Sequence, residues 1–188
     1  IKALYTIVGV TAMATLFFYV NRNTKETPII VPLAITDKSP VNKLLISPEA
    51  EKIIIKALES LAKSQNEDGS WKDGYDKNVG VNSLILLAYM SMGNFPGEGK
   101  YGEVVAKGVD WVISQSKRSG LIQNLEDGGG NAMYGHGLSS LMLSEIWGHT
   151  NDEIVEEKLN KAIELIIKVQ GPKGSWGYYS VAQDGDTS

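Results

Sequence analysis

The 188 residues suffice for one sizeable core, and 43% hydrophobic with 21% charged is ordinary for a globular protein. A net charge of −4 without any cluster of Lys or Arg argues against a nucleic-acid surface. The absence of cysteine excludes disulfides, thiolate metal sites, iron–sulfur clusters and cysteine nucleophiles, and two histidines, His136 and His149, leave little for a metal centre, so no metal or cofactor is expected.

Residues 3–20 are uncharged and mostly apolar, and Arg22 and Lys25 follow them. Such a run is close to the shortest helix that crosses about 30 Å of hydrocarbon, which makes residues 1–20 a membrane anchor and the lipid bilayer a partner. Ala12-Met13-Ala14 imitates a signal-peptidase site, but the apolar run continues through Leu16, Phe17, Phe18, Tyr19 and Val20. A buried core helix is the other alternative. The body is expected on the extracytoplasmic side, although Lys2 alone precedes the span and the charge count does not fix the orientation. Residues 21–48 carry Pro28, Pro32, Pro40 and Pro48, which forbid a long helix and make this stretch a linker or strap.

The body, residues 49–188, opens with Ser47-Pro48-Glu49 as N-cap, first-turn proline and acidic first turn. Ile53, Ile54, Ala57, Leu58 and Leu61 then recur at helical spacing and predict an amphipathic outer helix. Residues 79–92 are apolar on most sides, which predicts a surrounded inner helix, and Gly93 stops it. The pair repeats as 104–115, with Val105, Val109, Val112 and Ile113 inward, and 134–147. A third outer helix is predicted over 152–170, with Ile154, Leu159, Ala162, Ile163, Ile166 and Ile167 apolar. Aligning Gly93 with Gly148 places Gly80 on Gly135 without a gap. Strand periodicity is missing, and only 174–181 has the pattern of a short hairpin. The prediction is an all-α stack of outer and inner helices.

After each outer helix comes a related loop. Gln65, Gly69 and Trp71 return as Gln170, Gly174 and Trp176; a worn copy keeps Gln115, shifts the glycine to Gly120 and has Leu121 in place of the tryptophan. The steps from Gln65 to Gln115 to Gln170 are 50 and 55 residues. A basic-small dipeptide precedes each loop: Lys56-Ala57, Lys107-Gly108 and Lys161-Ala162. Gly185-Asp186-Thr187-Ser188 falls where Gly80-Val81-Asn82-Ser83 stands in the first repeat, so the sequence is expected to break off as a third inner helix begins.

Residues 49–188 resemble the terpenoid cyclase and prenyltransferase superfamily, which repeats a Gln-x-x-x-Gly-x-Trp signature after a basic-small dipeptide. The resemblance implies an α/α-toroid, here an incomplete ring. It implies that Gln and Trp stack at the periphery and that the Gln amide meets the start of an inner helix. Of the catalytic signatures of the superfamily, the Asp-rich acid motif of squalene-type cyclases is approached by Asp184-Gly185-Asp186-Thr187, which lacks its last Asp. The zinc-binding cysteine of protein prenyltransferases and the Cys-Gly-Glu-Gln of the thioester relatives are both missing.

The catalytic candidates are therefore Asp184 and Asp186, as acid or as helix cap, and His136, which opens the second inner helix. Glu145 is charged within an otherwise apolar segment and needs a partner. Residues 126–131 (Glu-Asp-Gly-Gly-Gly-Asn) have neither P-loop nor EF-hand spacing and read as a connector. The expected function is a membrane-anchored binding or scaffolding subunit of a larger membrane assembly, and the lean is away from an enzyme. The alternative is a terpenoid cyclase-like enzyme, or a carrier, acting on an apolar polyprenyl substrate.

Overall fold

A computed structural model describes residues 47–73, 76–124 and 132–182. Those residues form an all-α body of five helices: α1 (Pro48–Ser64), α2 (Val79–Ser91), α3 (Gly102–Ser114), α4 (Ala132–Thr150) and α5 (Glu153–Lys168). The expected anchor, residues 125–131 and the Asp184–Thr187 motif lie outside the described residues. Among the described residues no helix is long and apolar enough to cross a membrane.

Local chemistry sets the helix starts. Ser47 Oγ accepts from the Ala50 amide at 3.2 Å, with Pro48 in the first turn. Asn78 Oδ1 accepts from Gly80 and Val81 at 2.8 and 3.2 Å, and Asp152 Oδ1 from Ile154 and Val155 at 2.8 and 3.0 Å. Gly93 ends α2 in the left-handed region at φ 78°, and Asn151, at φ 53°, makes the sharp connection between α4 and α5.

The inner helices α2 and α4 pack most extensively on each other, with α1 and α3 against α2 and α5 against α4. Their crossing is set by the aligned glycines. A Cβ on Gly135 would stand 2.8 Å from Val79 Cγ2, and one on Gly80 would stand 3.2 Å from Gly135 Cα. Ser83 and Ser139 face each other across the same seam, their buried hydroxyls 2.9 Å apart. The core spreads from this seam through Leu86, Tyr89, Val105, Val112, Met142, Leu143, Ile146 and Ile163.

Three expectations need correction. The inner helices are not surrounded by the described residues, since Leu84 and Leu141 are 50% and 43% exposed. Of the predicted stripe on α1 only Leu58 is buried, while Ile53 is 68% exposed, because no helix lies on the far side of α1 among the described residues. The body also contains a two-residue antiparallel ladder, β1 (Lys72–Asp73) with β2 (Asp76–Lys77), after the first Trp, while 174–181 forms no strand.

Candidate functional site

The most structured non-helical feature is the joint that follows each outer helix. In the first copy the Asn66 amide donates to the Ser70 carbonyl at 2.9 Å, and the Gly69 amide donates to the Asn66 carbonyl at 3.0 Å, closing a tight loop. Gln65 Nε2 donates to the carbonyls of Gly69 and Val104, both at 2.9 Å, so it ties its own loop to the next outer helix. Trp71 is 2% exposed and donates from Nε1 to Leu61 O at 2.7 Å, across the turn it covers.

Two glycines make the approach possible. Gly69, at φ 87°, lies against α3 so closely that a Cβ would fall 2.1 Å from Lys107 O. A Cβ on Gly108 would meet Trp71 Cζ3 at 2.9 Å and Leu86 Cδ2 at 2.7 Å. The basic-small dipeptide is therefore a seat for the preceding loop: the lysine offers its carbonyl edge, and the small residue makes room for the indole.

The amide of Gln65 does not meet an inner helix start, contrary to what the resemblance implies. That task falls to Asn78, the cap of α2, and to Asn82. Asn82 Oδ1 accepts from Trp71 N–H at 2.7 Å, and its Nδ2 donates to Trp71 O at 3.0 Å and Asn78 O at 2.8 Å. Asn82 escaped the sequence reading because a lone Asn inside an apolar segment carries no periodic signal. A buried amide that must satisfy several groups was the available clue.

The second joint is the first with altered side chains and a shifted register. The Lys117 amide donates to Leu121 O at 2.7 Å and the Gly120 amide to Lys117 O at 3.0 Å, the same two bonds as in the first loop. Gly120, at φ 90°, sits on α5, where a Cβ would lie 2.2 Å from Lys161 O. These bonds place Ser116 where Gln65 stands and Ile122, fully buried, where Trp71 stands; Gln115 and Leu121 are each one residue early. Gln115 instead donates back to Trp111 O at 3.3 Å and Ser114 Oγ at 2.7 Å. In this register Lys56, Lys107 and Lys161 precede Gln65, Ser116 and Gln170 by nine residues each.

His136 belongs to this joint. It is fully buried; its Nδ1 accepts from Ile122 N–H at 3.2 Å and its Nε2 faces Ala162 O at 3.2 Å. The amide donor fixes Nδ1 as the bare nitrogen, so Nε2 carries the proton and donates to the carbonyl. Burial pushes the imidazole below its ordinary range, against a smaller opposing pull from the Ala162 carbonyl. Its ring holds the residue at the Trp71 position, as Asn82 does, and reaches α5 as well. Neither nitrogen has a lone pair left for a base or a ligand.

The third joint repeats the first. The Gly171 amide donates to Ser175 O at 2.8 Å, the Gly174 amide to Gly171 O at 2.9 Å, Gln170 Nε2 to Gly174 O at 2.9 Å and Trp176 Nε1 to Ile166 O at 2.7 Å. Its seat differs: among the described residues a Cβ on Gly174, at φ 84°, would meet only Gln170 Nε2, at 3.7 Å, and Trp176 is 42% exposed. Tyr178, Tyr179, Tyr134 and Val181 add exposed apolar surface at this end, with Tyr134 and Tyr178 rings 5.6 Å apart.

Of the other candidates, Glu145 is half-buried on α4, and burial raises its carboxyl above the usual range. Among the described residues no group of His, Asp or Glu is placed to hold a metal ion. Asp184 and Asp186 lie outside the described residues. Comparison with protein-family models, curated proteins and solved structures found no match to this chain.

Proposed function

We propose that this chain is a membrane-anchored helical-repeat scaffold of the α/α-toroid type, a binding subunit within a larger membrane assembly. The supporting observation is how its distinctive residues are used. Gln65, Trp71, Asn82 and His136 all hold one helix to the next, while Trp176, Tyr178 and Tyr179 remain outside as contact surface. Aromatic residues of this kind are the usual anchors of protein interfaces. Residues 3–20 supply the anchor, and the proline-containing stretch to residue 48 supplies the tether.

A photo-reactive residue in place of Tyr179, in the full chain in its native membrane, tests the reading. A discrete cross-linked protein partner is expected, and cross-links to lipid alone would overturn it. The second reading, a cyclase-like enzyme or carrier for a polyprenyl substrate, draws on the exposed Leu84 and Leu141 of the inner helices and on Asp186. Polyprenyl turnover that Asp186→Asn abolishes would establish it in place of the scaffold.

A further inference from the structure

In the second joint the residue at the Trp71 position is held by a histidine, where the first joint uses the amide of Asn82. The difference matters because a side-chain amide does not titrate and an imidazole does. Among the described residues no charged side chain is placed to pair with an imidazolium there. The second loop offers His136 the Ile122 N–H, and α5 offers it the Ala162 carbonyl. The ionisable groups of the surrounding elements are in water or bonded elsewhere. Lys117 and Arg118 of the loop, Lys107 and Asp110 of α3 and Glu164 of α5 are exposed. Lys158 and Lys161 of α5 pair with Glu157 at 3.9 and 2.6 Å, and the Tyr89 hydroxyl of α2 donates to Leu58 O at 2.7 Å. On α4 itself Tyr134 is exposed beside Tyr178, and Glu145 lies nine residues on, about 13 Å along the helix.

The second joint also has the most unmet polar groups. Three buried side-chain polar atoms lack a hydrogen-bond partner among the described residues; Ser116 Oγ and Gln123 Nε2, two of them, belong to it. Opening the loop hydrates both, so it costs less than opening a fully bonded one. Two residues past Ile122, Asn124 connects this loop to the first repeat: its Nδ2 donates to Lys77 O, and its Oδ1 accepts from the Val79 N–H at 3.2 Å. Asn78 serves the next two amides of α2, those of Gly80 and Val81, so the Val79 amide depends on Asn124.

We infer that the second joint is an acid-triggered latch: a proton at Nδ1 of His136 releases residues 120–124 from α4 and α5, and through Asn124 it unties the start of α2 from the second repeat. The proton takes the lone pair that accepts from Ile122, and two N–H groups then face each other. Ile122 withdraws, the ring gains water, and Asn124 leaves Val79 and Lys77. The first joint stays closed, because Asn82 holds Trp71 through groups that do not titrate. All parts of the latch lie within the described body, so it stands independently of the scaffold reading, to which it adds a tie between repeats that acid undoes.

Hydrogen exchange of the full chain in detergent micelles, read amide by amide by NMR between about pH 5 and 8 and corrected for the intrinsic pH dependence of exchange, tests it. One proton is taken up on opening. Protection of the Ile122 and Val79 amides is therefore expected to fall together, by up to about tenfold per pH unit below about pH 6.5. The Trp71 amide and the interior amides of α3 are expected to keep theirs. His136→Asn should remove the pH dependence at both sites, and pH dependence that survives in a folded variant would refute the latch. Asn124→Ala keeps the histidine and provides a second check should His136→Asn not fold: Ile122 retains its acid response, and Val79 is unprotected at every pH. Wild-type protection of Ile122 that is constant with pH would overturn the inference. A loss shared evenly by all five helices would overturn it too, because acid would then act on the fold as a whole. Acid loss at Ile122 with Val79 still protected would sink the relay through Asn124.

Discussion

His136 shows how one buried side chain makes a joint sensitive to pH. Its Nδ1 faces an amide hydrogen, so a second proton on the ring would meet the Ile122 N–H head-on while losing hydration. In the unfolded chain the imidazole titrates near its ordinary value of 6.5, and in the fold burial lowers it. Between those two values the unfolded state binds more protons. Stability is therefore full above about pH 6.5 and falls as pH drops, by up to about 1.4 kcal/mol per pH unit for this one group. Urea denaturation between about pH 5 and 8 measures it. His136→Asn, which imitates Asn82, should lower stability at neutral pH through the lost bond to Ala162, yet flatten the acid limb; an acid limb as steep as that of wild type would refute the assignment. Asp68 contributes in the same sense at much lower pH. Burial works against its ionisation, but hydrogen bonds from Lys77 and Ser70 hold its carboxyl at about 2. Its side chain is 44% exposed, so its weight in stability is small.

At the scale of the element, the joint is a cassette whose parts vary independently. Trp71 packs on Gly108, which has no Cβ, whereas in the second joint the smaller Ile122 takes the Trp71 position and the residue after the lysine is Ala162, so a smaller plate goes with a larger seat. The second copy lacks the bridging amide. Ser116 stands in its place, and its buried hydroxyl has no hydrogen-bond partner among the described residues. Ser116→Gln restores a donor that reaches the Gly120 carbonyl and the next outer helix, and is expected to raise stability by about 0.5–1.5 kcal/mol in urea denaturation. A loss of stability would mean that the loop has no room for the longer side chain.

The same element shows where the sequence was informative. Helix starts were legible at Ser47 and Pro48 because caps are local chemistry, and the Gly80–Gly135 alignment located the crossing of α2 and α4. The register of the middle copy was not legible. Gln115 has the right side chain, but the turn is decided by backbone bonds of Lys117 and Gly120, and those place Ser116 in the series. The open sides of α2 and α4 were hidden as well. Leu84 and Leu141 are as apolar as their buried neighbours, so a period count cannot tell an exposed leucine from a packed one. The exposure of α1 reflects the lack of a helix on its far side among the described residues, which no residue within α1 encodes.

For the whole molecule, the energetic role of a motif depends on its place in the stack more than on its sequence. The loops at Gln65 and Gln170 carry the same internal bonds, yet Trp71 is 2% exposed and Trp176 is 42% exposed. In a helical-repeat protein, stability divides into terms within a repeat and terms between neighbours, and only the second kind differs between these copies. Trp71→Ala removes an indole packed on α3 and α2 and leaves a cavity beside Gly108, at an expected cost of about 3–5 kcal/mol. Trp176→Ala removes the same side chain from a position where it is 42% exposed, at an expected cost of about 1 kcal/mol or less. Chemical denaturation of the two variants at low protein concentration measures the difference directly. Equal costs for the two tryptophans would show that the indoles act within their own repeats, and the joint would then be a local loop rather than the connection between one helix pair and the next.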